Sequence, residues 1–278
     1  MQLEKSYACH GGTVGYYVHE SEVTQTSMKF SLFLPPQIKE QAVPYLLFLS
    51  GLTCTEDNFT VKAGAYKKAS ELGIAVLAPD TSPRGKGVAN DEAYDLGQGA
   101  GFYLDATQEP WAKHFQMESY VIKELLPLVE EEFSLDKSRR FICGHSMGGH
   151  GSLTLYLKYP KLFTSCSAFS PIVAPSQVPW GQKAFKAYLG NVPEQWQDHD
   201  ACCLVKKADN ADLNPPILID QGLNDSFLEE QLKPHLFKEA CAQAGQKLVL
   251  REHADYDHSY FFIQSFIDDH LRWHYEQK

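Results

Sequence analysis

The pentapeptide Gly144-His145-Ser146-Met147-Gly148 narrows what this chain can become more than any other feature, because of what flanks it. Arg140–Cys143 reads as a short buried strand, and the run from Gly148 to Tyr159 reads as a helix. A strand that turns into a helix within one residue leaves no space for side chains on either side of the turn, which is where the glycines stand. Such an elbow exposes the serine Oγ at the end of a sheet, and the helix start behind it offers N–H groups to a developing oxyanion. Gly-x-Ser-x-Gly also arises by chance in loops. The preceding strand, the following helix and the further glycines at 149 and 151 set this one apart.

The rest of the chain supplies a frame for the elbow. Strand-like runs at Lys29–Leu34, Tyr45–Ser50, Ile74–Ala78, Ser165–Phe169, Ile217–Asp220 and Lys247–His253 alternate with helical patterns. The helices are expected at Ala65–Leu72, Met117–Phe133, Gly148–Tyr159, Phe227–Ala244 and Ser259–Tyr275. Several strands are almost continuously apolar, as strands covered on both faces must be. The pattern predicts an α/β fold with a mainly parallel sheet and helices on both faces, formed by residues 1–278 as one domain. Pro127 is at odds with an unbroken Met117–Phe133 helix, since proline kinks or restarts one. Ser226 and Glu229 have the spacing of a capping box opening the Phe227 helix. The stretch between Thr81 and Gln116 has no period, and a loop of that length is expected to be functional or mobile.

A serine hydroxyl needs an imidazole to take its proton, and the imidazole needs a carboxylate to hold its tautomer. On an elbow of this kind the chain order is Ser, then Asp or Glu, then His, with each partner in a loop after a late strand. Asp225 lies in the turn after Ile217–Asp220 and is preferred as the acid. Asp220 sits at the strand end, with its direction unsettled, and Asp212 has the look of a solvated loop residue. Five of the eleven histidines follow Asp225. His235 falls inside a helix, His253 ends a strand, and His270 and His274 are expected at a helix surface. His258, in the loop before the last helix, is the expected base. His145 and His150 flank the nucleophile and are expected to shape its surroundings.

The oxyanion would be held by the N–H of Met147 and by a second N–H from the loop after Tyr45–Ser50. Gly51 lets that backbone turn, which makes Leu52 the candidate donor. Composition excludes several alternatives. A chain that is 44% hydrophobic and 22% charged, with no low-complexity run, is not mainly disordered. A formal charge of −10 argues against nucleic acid or an anionic membrane as partner. The longest apolar runs, such as Tyr45–Leu49, are too short to span a bilayer. Seven cysteines, an odd number without Cys-x-x-Cys, argue for free thiols rather than a disulfide framework or structural zinc. With no basic-then-apolar leader at Met1–Ser6, a cytoplasmic location is expected.

Several blocks resemble the S-formylglutathione hydrolase (esterase D) family. They are Leu49–Cys54, Ala78–Gly85, Asp95–Tyr103, Gly144–Gly151, Pro179–Phe185 and Tyr256–Tyr260, in the family's order along almost the whole chain. The resemblance implies an α/β-hydrolase fold, no metal or cofactor, often a homodimer, and hydrolysis of S-formylglutathione to glutathione and formate. It carries the triad onto Ser146, Asp225 and His258, and the oxyanion donors onto Leu52 and Met147. Trp180 matches a tryptophan of the active-site region, with core packing an equal reading, and Cys54 matches a cysteine near the site. Asp255 stands where the family commonly has glycine; aspartate tolerates a left-handed backbone better than most residues. Because the glutathione thioester and the protein are both anionic, long-range steering does not help binding, whereas local cations near the site could. Arg84 and Lys86 are the candidates.

Overall fold

A computed structural model describes residues 1–208 and 211–277. Among the described residues nine strands form one sheet: β1 (Gln2–Cys9), β2 (Gly12–Glu20), β3 (Ser27–Leu34), β4 (Val43–Leu49), β5 (Ala75–Pro79), β6 (Leu135–His145), β7 (Ser165–Phe169), β8 (Ile217–Gly222) and β9 (Leu248–His253). Their order is β1-β2-β3-β5-β4-β6-β7-β8-β9. The first three pairings are antiparallel, and every pairing from β5–β4 through β8–β9 is parallel. Each predicted strand is present, and β6 is longer than expected at both ends.

Alternate residues of the central strands feed two cores, as the pleat requires. Tyr45, Leu47 and Leu49 of β4 join Ile142 of β6 on one face, beneath the helices Met147–Lys158, Pro179–Leu189, Ala201–Lys207 and Pro234–Ala244. Leu46 and Phe48 join Phe141 and Cys143 on the other, beneath Glu56–Lys62, Tyr66–Leu72 and Tyr260–Glu276. The hairpin β1–β2 escaped the sequence reading because β1 is exposed along nearly its whole length and so carries no alternation. Its turn is legible afterwards, since His10 and Gly11 both take positive φ.

Three expectations need correction. The Met117 helix is built from Met117–Ser119, a π-helical Tyr120–Leu125 and Leu126–Glu132; the backbone stays helical through Leu125 and Leu126, and Pro127 follows directly on the π turn instead of breaking the helix. The Phe227 helix also divides. A π turn, Leu228–Leu232, is followed by Lys233 at φ 46° and an α-helix restarting at Pro234. The Ser226–Glu229 capping box does not form, because the Asp225 carboxylate takes the Phe227 N–H at 2.9 Å. Finally, His270 and His274 are fully buried rather than at a surface. His274 bridges Ser165 and Ser167 of β7, and His270 Nδ1 lies 2.8 Å from Ser167 Oγ. The segment from Thr81 to Gln116 is irregular, but it is packed. Phe102, Tyr103 and Leu104 are buried, and the Tyr103 hydroxyl donates to Ser50 O at 2.9 Å.

Candidate active site

The carboxyl ends of β4, β6, β8 and β9 converge, and their following loops build a pocket of about 350 Å³. This is where an open, mainly parallel sheet presents a crevice. Ser146 sits directly between β6 and the Met147–Lys158 helix at φ 58°, ψ −119°. Held by its neighbours, such a conformation stores about 1–3 kcal/mol of strain. A Cβ on Gly144 would lie 2.0 Å from Gly148 O, and one on Gly148 would lie 1.9 Å from Leu49 O. The elbow therefore closes only with glycine at both positions. Ser146 N donates to Phe169 O at 3.0 Å, and its carbonyl accepts from His150 N at 2.9 Å.

Asp225 and His258 meet across β8 and β9. Asp225 Oδ2 lies 2.5 Å from His258 Nδ1, and the other carboxylate oxygen holds Phe227 N–H. The Asp225 side chain is buried, and Gln221 Nε2 approaches Oδ2 at 3.5 Å. A proton on His258 Nδ1 that points at a carboxylate leaves Nε2 with a lone pair. Gly222 makes the meeting possible, since a Cβ there would fall 2.4 Å from Tyr256 O. Backbone bonds from Leu223 N to His253 O and from Asn224 N to Tyr256 O tie the two loops together. Asp255 turns the His258 loop at φ 65°, the conformation aspartate was expected to tolerate, and its side chain is exposed.

His145 packs its ring 4.4 Å from that of His258, and Phe227 presents an edge at 5.0 Å. Burial, with His258 adding to it, holds the His145 imidazole well below its usual range, so it stays neutral beside the pair. His150 Nε2 lies 3.0 Å from Phe102 O, and burial lowers its pKa to about 3.

Gly51 brings the loop after β4 against the elbow. A Cβ there would lie 3.1 Å from Ser146 Cβ and 3.2 Å from His145 O. The next two N–H groups are spoken for, Thr53 by Gly99 O and Cys54 by Gly51 O, whereas among the described residues Leu52 N–H has no backbone acceptor. Met147 is the first residue of its helix, so its N–H lacks an intrahelical partner. Leu52 lines the pocket together with Ser146 and His258.

The remaining candidates divide. Cys54 lines the pocket, and its thiol is pushed up by burial. Trp180 lines it too and is 6% exposed, so it both packs and faces the cavity. Its indole N–H donates to Tyr94 Oη at 3.2 Å, and its ring lies 4.7 Å from Phe227. Arg84 is outside the pocket lining: its Nε binds both oxygens of buried Asp80, and its Nη2 donates to Cys54 O at 2.8 Å. Lys86 is exposed and away from the lining. Asp220, the rival acid, is likewise committed elsewhere, to Arg251 through two hydrogen bonds of 2.6 Å, with His270 Nε2 at 3.3 Å. The sequence reading missed Lys62, Asn58, Tyr94 and Phe227, all of which line the pocket. Thr55-x-x-Asn58 was the available signal for the first two, because it caps a helix, Glu56–Lys62, that begins right after the Gly51–Cys54 loop. Among the described residues no three His, Cys, Asp or Glu side chains group as a metal site. No helix among them is long and apolar enough to cross a membrane.

Residues 21–273 match the family described as "Putative esterase". A protein of Paracoccus denitrificans (strain Pd 1222) named S-formylglutathione hydrolase is 52% identical over 267 residues, covering 96% of this chain and 94% of that one. This chain belongs to the S-formylglutathione hydrolase family. A solved member of that family, from Agrobacterium tumefaciens, superposes with a TM-score of 0.97 at 48% identity, covering 100% of this chain and 99% of the other. More distant is FphF, a fluorophosphonate-binding serine hydrolase of Staphylococcus aureus, with a TM-score of 0.77 at 20% identity over 95% of this chain and 99% of its own. That second likeness shows the shared fold alone. The chain is thus a hydrolase with the α/β-hydrolase fold, as its family resemblance implied.

Proposed function

We propose that this protein hydrolyses the thioester S-formylglutathione to glutathione and formate through a formyl-serine intermediate on Ser146. The observation that carries the reading is the 2.5 Å Asp225–His258 pair opening onto the same pocket as the strained Ser146 elbow. It is supported by 52% identity to a protein named for that activity. His258 Nε2 takes the Ser146 proton while Oγ attacks the formyl carbon, and Asp225 stabilises the imidazolium. The N–H groups of Leu52 and Met147 receive the oxyanion, each worth about 10²–10³ in rate. The tetrahedral carbon then expels the thiolate, which takes the proton from His258. A water deprotonated by His258 attacks the formyl-serine, and formate leaves as Ser146 regains its proton.

The wall formed by Trp180, Phe227 and Tyr94 supports a site matched to a small acyl group. We extend the reading to one α/β-hydrolase domain over residues 1–278, a homodimer and a cytoplasmic location. The last is supported by seven cysteines that are all free. Light scattering on the purified protein tests the dimer.

The activity test compares S-formylglutathione with a short aryl acetate for wild type and Ser146→Ala. The proposal requires a much higher kcat/KM on the thioester and loss of both activities in the variant. Cleavage of the aryl ester alone would make the protein a general carboxylesterase with the same triad.

A further inference from the structure

A second concavity, of about 650 Å³, adjoins the reaction pocket and shares Lys62, Ser259 and Tyr260 with it. Its other walls include Val61 and Phe261, which are 61% and 80% exposed, and Gln264. Among the described residues, Lys62 is the only permanently charged side chain lining either space. Among the described residues no carboxylate lies within 4 Å of its ammonium, which instead sits 5.7 Å from the Tyr260 ring centre. On a chain with a formal charge of −10, an unpaired cation at the rim of an otherwise uncharged cavity is a local attractor for an anion.

The reaction fixes which part of the substrate faces this way. His258 must return its proton to the departing sulfur, so the sulfur lies against His258. Ser259 and Tyr260 follow in the chain and form the wall between the two spaces. The formyl group ends at its hydrogen and has nothing to extend. Only the thiol side of the substrate has atoms to place beyond Tyr260, and a glutathione thiol carries two carboxylates against one ammonium.

On the reading given above, we propose that this concavity receives the peptide part of the leaving group. Lys62 pairs with a peptide carboxylate, and Val61 and Phe261 cover the peptide's methylene surface. Lys62 is thereby a specificity residue that acts on binding and not on bond making.

The probe is S-methylglutathione, a thioether the enzyme cannot cleave, assayed as a competitive inhibitor of aryl acetate hydrolysis. In Lys62→Ala its inhibition constant rises about five-fold, the size of an exposed ion pair, and it rises further in Lys62→Glu. Lys62→Arg restores most of the wild-type value, and the gap between wild type and Lys62→Ala narrows as salt is raised. With S-formylglutathione the same loss falls on KM and spares kcat. An inhibition constant unchanged in Lys62→Glu overturns the inference, as does a loss shared equally by the aryl ester. A wild type that does not prefer the glutathione thioester over the aryl acetate instead overturns the functional reading, whatever Lys62 does.

Discussion

Lowering the pH should loosen the helix that follows Ser146, and His150 provides a way to measure it. The side chain is 1% exposed, with Nε2 3.0 Å from Phe102 O, while its backbone N–H holds the Ser146 carbonyl. It thus links the elbow helix to the packed Thr81–Gln116 segment. An unfolded imidazole takes up its proton near pH 6.5, and the folded one only near about 3. Between those values the unfolded state holds more protons, so stability falls as the pH falls. Each unit of pH in that window is worth about 1.36 kcal/mol, so His150 alone removes about 2 kcal/mol between pH 7 and pH 5. His145, His199 and His274 are lowered by burial too and add with the same sign. His150→Gln keeps an N–H for Phe102 O but cannot titrate. Urea unfolding at pH 7 and pH 5 should show the variant less stable than wild type at pH 7, yet losing about 2 kcal/mol less on acidification. Equal losses in the two proteins, to within about 0.5 kcal/mol, would refute the argument that a neutral His150 is built into the fold.

Asp225→Asn should fold normally and lower kcat by about 10⁴, because the wrong His258 tautomer is then held; stopped-flow hydrolysis against circular dichroism separates activity from folding. Gly148→Ala should give little soluble protein, since its Cβ would lie 1.9 Å from Leu49 O, a backbone atom that cannot move aside; a normal melting temperature would contradict this. Trp180→Ala should raise the relative kcat/KM for butyryl over formyl thioesters by enlarging the acyl wall, as a side-by-side assay of the two substrates will show. A ratio no different from wild type would take Trp180 out of that wall.

Much of this protein was readable from its sequence because local chemistry left few choices. A serine between two glycines, after a buried strand and before a helix, has one way to turn, and the observed φ of 58° is that way. Short, almost continuously apolar runs wrote most of β3 to β9 into the chain, because the central strands are buried on both faces. Where burial is missing, as along the exposed β1, no apolar pattern exists to be read. Side-chain direction at the end of a strand is set by what packs on each face. Only the tertiary structure could turn Asp220 toward Arg251 and His270 and leave Asp225 to meet His258. The same holds for His270 and His274, whose polar rings look like surface on a helix until Ser165 and Ser167 of β7 are seen beneath them. The cations were decided the same way. Arg84, close to the site in sequence motifs, is neutralised by Asp80, while Lys62 reaches the pocket because the loop after β4 runs straight into its helix. Local sequence dictates backbone turns and burial periods, whereas the partner of a charge is a matter of which distant elements the fold brings within 3 or 4 Å.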